Sequence, residues 1–241
     1  MIVKIRGIVI SETPYGDSSK IINIVTKEHG IVGIMCKGAK SMKSKLRALT
    51  TRFTYGDFHM YYNESKLSTL ITVDIVNNLN NLKSDITLLS YLTYITDLVH
   101  QVMKQNNEEE VFDKYIDTVL KMEEGIEPSI LTNILEIKLL DYLGVGLNLD
   151  SCVKCGNKES IVTINADYGG YLCSKCIDHE QIVSPKTIKL LRMYYYVEIN
   201  SITKIDISEN VAREINFFLD KYYERYTGLY LYSKKFLEEV R

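Results

Sequence analysis

Four of the five cysteines in this chain fall in two pairs, Cys152-Val153-Lys154-Cys155 and Cys173-Ser174-Lys175-Cys176, with 17 residues between the pairs. Two thiolates at that spacing can hold one edge of a tetrahedral ion. Two such pairs close all four positions, as in a structural zinc ribbon. Gly156 follows the first pair and Gly169-Gly170 precedes the second, where a tight knuckle and a hairpin turn need small residues. The alternatives are two disulfides or chance, and four cysteines confined to 25 residues argue against chance. His179, three residues past Cys176, could replace a cysteine as ligand but reads as a loop histidine. A closed four-thiolate site leaves no position for water; it staples a module too small to bury enough core alone.

The second stretch is cationic. No acidic residue lies between Glu28 and Asp57, and that window holds Lys37, Lys40, Lys43, Lys45, Arg47 and Arg52. Glycine, alanine and serine stand between the charges, so the backbone can approach phosphates and hydroxyls can add hydrogen bonds. The segment reads as a mobile surface connector between strands. Tyr55, Tyr61 and Tyr62 are candidates for an exposed stacking surface, because bases stack on aromatic rings while cations track the backbone. They are equally candidates for core, and a basic loop can also be a solvated, solubilising one.

Other chemistry is missing from the sequence. There is no His-Glu-x-x-His, no Gly-x-Ser-x-Gly and no phosphate loop ending in Gly-Lys-Ser/Thr. With 29 Lys and Arg against 31 Asp and Glu, the net charge is −2, so nucleic-acid binding must come from a local patch. No apolar run approaches the roughly 20 residues that span a bilayer. The alternating start Met1-Ile2-Val3-Lys4-Ile5-Arg6 is strand-like rather than a signal peptide. A cytoplasmic, reduced protein is expected, with Cys36 a buried free thiol.

Five β-rich runs position the cationic stretch: Val3–Ile10, Ile21–Val25, Gly30–Cys36, Phe53–Tyr62 and Leu67–Val76, which fit a small closed barrel. Helical periodicity then takes over. Ser184-Pro185 and Pro128 mark helix starts, and Gly144 a stop. Ser84 or Asp85 can cap a helix carrying Ile86, Leu89, Leu92, Ile95, Val99 and Val102. The fold class is α+β. The expected domains are a nucleic-acid-binding barrel over residues 1–80, a helical domain over 81–148 and 183–241, and the cysteine module inserted at 149–182. Tyr194–Tyr196 and Tyr222-Tyr223 read as packing between helices.

The sequence resembles the RecO family of DNA repair and recombination mediators along its whole length. The resemblance rests on Gly7–Ile10, Tyr15–Lys20 and Thr26–Gly30, on Lys37-Gly38-Ala39-Lys40 with Lys43–Arg47, and on Leu143-Gly144 leading into the two cysteine pairs. It extends to the Tyr/Leu-rich stretch from Tyr222 to Leu237; Asp17 stands where the family usually has glutamate. It implies an OB-fold barrel, a helical domain and a zinc ribbon held by Cys152, Cys155, Cys173 and Cys176. It also implies a non-enzymatic protein that binds single- and double-stranded DNA and anneals complementary strands. Helping a recombinase onto DNA coated with single-strand-binding protein, with a RecR partner, belongs to the same implication, as does association with the nucleoid. Contacts to DNA would come from Lys37, Lys40, Lys43, Lys45, Arg47 and Arg52. The C-terminal tail of the single-strand-binding protein has no residue-by-residue counterpart here; Lys186, Lys189 and Arg192, near Leu190 and Tyr194, are a candidate. The rival reading is a zinc-ribbon interaction adaptor whose basic loop binds RNA or an acidic partner.

Overall fold

A computed structural model describes residues 1–240. The chain divides into two compact units, Met1–Ile116 and Asp117–Glu239. Among the described residues no helix is long and apolar enough to cross a membrane.

The first unit is built on a closed five-stranded barrel of the OB type: β1 (Ile2–Tyr15), β2 (Ser19–Thr26), β3 (Ile31–Cys36), β4 (Tyr55–Tyr61) and β5 (Ser68–Asn77), in the order β1-β2-β3-β5-β4. β1 is 14 residues long and serves two partners: its first half pairs with β4, from Ile2 opposite Tyr61 to Ile8 opposite Tyr55. From Gly7 onward it pairs with β2, through a bulge between Val9 and Ser11, so that Gly7 and Ile8 pair with both neighbours. β3 and β5 run parallel and complete the closure, which leaves no free sheet edge. The alternation in β2 and β3 is strict enough to read in sequence. Ile22, Ile24, Val32, Ile34 and Cys36 point inward and join Ile5, Val9, Phe58, Met60, Leu70 and Val73. Cys36 is free and fully buried, and burial pushes its thiol up to about 12, so it packs rather than reacts.

α1 (Leu46–Leu49) lies in the connector between β3 and β4. After β5, Leu79 takes a left-handed conformation and starts the short α2 (Asn80–Ser84). α3 (Ile86–Gln105) opens with Asp85 accepting from the Leu88 amide, as the sequence signal requires. α4 (Glu109–Glu123) carries Glu109 and Glu110 in its first turn, where they favour the helix dipole.

In the second unit, α5 (Pro128–Tyr142) starts on an N1 proline and ends at Gly144, whose φ of 73° suits a residue without Cβ. Every residue from Ile130 to Leu140 is buried. Three of its polar members have partners: Asn133 donates to Asn216 at 2.9 Å, Lys138 donates to the Tyr195 carbonyl at 2.8 Å, and Glu136 meets Lys234 at 3.4 Å, whereas the buried Thr132 hydroxyl has none among the described residues. β6 (Asn148–Cys152), β7 (Ile161–Asn165) and β8 (Gly170–Cys173) form a small sheet in the order β6-β8-β7. α6 (Pro185–Tyr196), α7 (Glu209–Tyr226) and α8 (Tyr232–Val240) complete the unit. Tyr194, Tyr222 and Tyr223 are buried among them, whereas Tyr196 is exposed.

Candidate metal centre and nucleic-acid interface

The two cysteine pairs sit on matching turns. Cys152 ends β6, and the Gly156 amide donates to the Cys152 carbonyl while Gly156 adopts a φ of 75°. Cys173 ends β8, and the Cys176 amide donates to the Cys173 carbonyl at 2.9 Å. Because β6 and β8 are neighbouring parallel strands, both turns leave the sheet at the same end. The four sulfurs consequently converge, all within 4.8 Å of one another. Cys155 Sγ and Cys173 Sγ are 3.7 Å apart. A tetrahedron with metal–sulfur bonds of about 2.3 Å has edges of about 3.8 Å, so the spacing fits one tetrahedral ion. It does not fit disulfides, since all four cysteines are free. His179 is exposed and outside the cluster.

The electrostatics of the thiols favour a cation. Burial opposes ionisation of Cys152, but the backbone amides of Cys173, Cys155 and Lys154 outweigh it and bring this thiol down to about 6. Cys176 moves the other way: hydrogen bonding with Cys155, burial and the nearby Cys173 and Cys152 sulfurs push it up to about 12. One thiolate forms readily and its charge opposes the next, so four thiolates together need a positive ion among them. Lys154 Nζ, 3.1 Å from the Cys176 carbonyl and 3.3 Å from Asp178, ties one turn to the other. The cluster's own core is small, with Cys152, Leu172 and Cys173 as its fully buried members.

The cationic connector is pinned rather than free, contrary to the mobile loop expected from its composition. The Lys40 amide donates to the Ser18 carbonyl and the Gly38 amide to Ser19 Oγ, which fastens the segment onto the β1–β2 turn. Successive turns follow through Ser41, Ser44 and Arg47, then α1, whose Leu46 and Leu49 pack against the barrel core. Phe53, at a φ of 65°, bonds back to β1 through the Val9 carbonyl. Small local turns with two buried anchors, Ala39 and Thr50, explain why a polar stretch holds a shape.

Five of the six cationic side chains, those of Lys37, Lys40, Lys43, Lys45 and Arg47, are on exposed residues of this segment. Arg52 differs. Its guanidinium donates to the Ile10 carbonyl at 3.0 Å and to Asp97 of α3 at 2.9 Å, and it lies over the Phe53 ring. It holds the end of the connector against the barrel and α3. The aromatic candidates also separate. Tyr55 is buried, because β4 bulges between Tyr55 and Gly56 and the outward alternation fails there. Tyr62 meets the His29 ring at 4.8 Å in a tilted arrangement, and Tyr61, 55% exposed, lies opposite Ile2 at the far end of β1 from the connector. Tyr15, equally exposed, lies at the β1–β2 turn that the connector grips. On α6, Leu190 and Tyr194 are core residues. Arg192 pairs with Asp150 and Lys186 reaches the Asp206 carbonyl, so the apolar half of that candidate tail site is not at the surface.

The chain is similar to known proteins along its length. The family described as Recombination protein O N terminal matches residues 1–79, and that described as Recombination protein O C terminal matches residues 83–235. The DNA repair protein RecO of Bacillus pumilus is 32% identical over the whole of this chain and 95% of its own length. That of Bacillus subtilis is 30% identical over the same shares. That of Listeria innocua is 31% identical over 98% of this chain and 94% of its own.

Proposed function

This chain belongs to the RecO family of DNA repair proteins and so has a role in DNA repair and recombination; from that premise we propose that it is a non-enzymatic mediator that binds single- and double-stranded DNA and anneals complementary strands. The observation that carries this reading is the pinned face of Lys37, Lys40, Lys43, Lys45 and Arg47, drawn from a segment with no acidic residue between positions 28 and 57. Such a face binds phosphate without regard to sequence, and Tyr15 beside it offers a ring for stacking. A cationic face that engages two strands lowers their mutual repulsion, which is what annealing needs. Arg52 acts here by holding the connector in place.

The same reading gives the protein the RecR partner, the C-terminal tail of the single-strand-binding protein, and the task of helping a recombinase onto coated strands in the cytoplasm, at the nucleoid when DNA-bound. The four cysteines hold one zinc ion as closed thiolate ligation, and the ion stabilises the ribbon at 149–182 instead of performing chemistry. The barrel at 1–80 is the DNA-binding domain, and 81–148 with 183–241 form the helical domain. The test is annealing of complementary oligonucleotides coated with single-strand-binding protein. The native protein should accelerate it, and a Lys40→Gln/Lys43→Gln/Lys45→Gln variant should not. No acceleration by folded, zinc-loaded native protein would replace this reading with an interaction adaptor.

A further inference from the structure

We propose that the cavity under the basic connector is a phosphate seat, with Lys20 as its buried cation and Glu12 as a displaceable internal anion. The proposal rests on the DNA-binding reading above and deepens it. The cavity, about 310 Å³, is lined by Glu12, Pro14, Lys20, Ala39, Lys40 and Arg47. Its size is at the lower end for ligand sites and suits a phosphate or one nucleotide unit. Pro14 lies opposite Lys20 in the β1–β2 ladder, so Glu12, two residues earlier, is its diagonal neighbour on the same face. Lys20 is only 7% exposed, and its Nζ is 2.5 Å from Glu12 Oε2.

The charges around this pair are unbalanced. Lys40 Nζ donates to a backbone carbonyl, that of Gly16, at 3.1 Å. Arg47 is directed at the Met42 thioether, a weak acceptor. Among the described residues no ion pair engages Lys40 or Arg47. Three cations therefore line a space that holds one carboxylate. That carboxylate is loosely kept: the Glu12 side chain is 39% exposed, and its second oxygen is 3.4 Å from the Arg52 amide, near the limit of a hydrogen bond. A buried ammonium needs an anion beside it, so the seat holds either Glu12 or a ligand oxygen. A phosphate gives Lys20 the same charge-assisted bond and adds Lys40 and Arg47, which Glu12 does not satisfy. Because Lys40 and Arg47 belong to the connector that also carries the exposed Lys43 and Lys45, the phosphate is that of a nucleic-acid strand, and Glu12 sets how tightly it is held.

The test is binding at fixed ionic strength of a twenty-residue oligothymidylate, with and without a 5′-phosphate, with inorganic phosphate as a second probe. Lys20→Gln should weaken strand binding about tenfold, and Glu12→Gln should tighten it several-fold. Inorganic phosphate should raise the melting temperature of Glu12→Gln more than that of native protein. If Lys20→Gln does not fold, the Glu12→Gln/Lys20→Gln double variant replaces it and should also bind weakly. Tighter binding of the 5′-phosphorylated strand places a strand end in the seat, and equal binding places an internal diester there; both support it. Unchanged affinity in Lys20→Gln and Glu12→Gln, with loss in Lys43→Gln/Lys45→Gln, overturns the seat and leaves the DNA-binding face standing. If native protein binds no strand at all, the face reading fails and the phosphate arm decides: a Lys20-dependent melting shift supports an anion seat, and none overturns it.

Discussion

Replacing Asp57 with asparagine should destabilise the barrel in a pH-dependent way. Asp57 lies on β4 opposite Arg6 of β1, within the β1–β4 ladder of the barrel. Arg6 holds it through two bonds, 2.7 and 2.9 Å, and Lys4 adds a third contact at 3.0 Å. The Arg6 hydrogen bonds are the main cause that brings this carboxyl down to about 2 from 3.8; burial opposes them and Lys4 assists. The native value is depressed, so the stabilisation is fully present above the unfolded value near 4 and is lost as pH falls towards 2. A shift of this size is worth about 2 kcal/mol at pH 7 and about 1 kcal/mol at pH 3. Arg6 and Lys4 are about half exposed, so salt should reduce both figures. Asp74, opposite Asp57 on β5, is 3.9 Å from Lys4 and 2.7 Å from His59, and these contacts offset the like-charge pairing. The assay is urea unfolding of native and Asp57→Asn protein, followed by circular dichroism at pH 7 and pH 3. A stability difference equal at both pH values, or absent at pH 7, would refute the assignment of Asp57 as a charge-held clamp.

Purified protein should contain one metal ion per chain, and a Cys152→Ser/Cys155→Ser variant should contain none and lose protease resistance across 149–182. Unchanged protection in that variant would contradict a metal-stapled module. Lys234→Met should cost about 3 kcal/mol or more, because Lys234 stands between Glu136, which is 4% exposed, and Asp220 at 2.6 Å. Adding Glu136→Gln should recover much of that loss, and thermal melts of the single and double variants would show it. Tyr115→Phe should cost about 1 kcal/mol, since it removes the buried 2.7 Å bond to Thr96. A melting temperature equal to native would mean that this bond contributes nothing.

The parts of the fold that were legible from sequence are those set by local pattern. Period-two alternation gives β2 and β3, a capping aspartate starts α3, and prolines 128 and 185 start α5 and α6. The cysteine spacing gives the four-sulfur cluster that could hold a metal ion, because each pair of cysteines lies within one turn. What escaped depends on distant partners. Arg52 looks like any other cation of its stretch until Asp97, 45 residues on, takes its guanidinium. Tyr55 fits core or surface equally by sequence, and only the irregular β4–β5 register shows why it is buried. The connector looks mobile because its composition does not show that Ala39 and Thr50 are buried anchors. Nothing local in the sequence ties Lys20 to Glu12; only the hairpin register brings the two together.

The central claim is that the connector's exposed cations meet DNA phosphates, and the dependence of single-stranded DNA affinity on salt tests it most directly. Five contacts, from Lys37, Lys40, Lys43, Lys45 and Arg47, predict a log–log slope of about −3.5, and removing three of them by Lys40→Gln/Lys43→Gln/Lys45→Gln should bring it to about −1.4. A slope that stays near the native value in that variant would contradict the account, because the phosphates would then lie elsewhere on the protein.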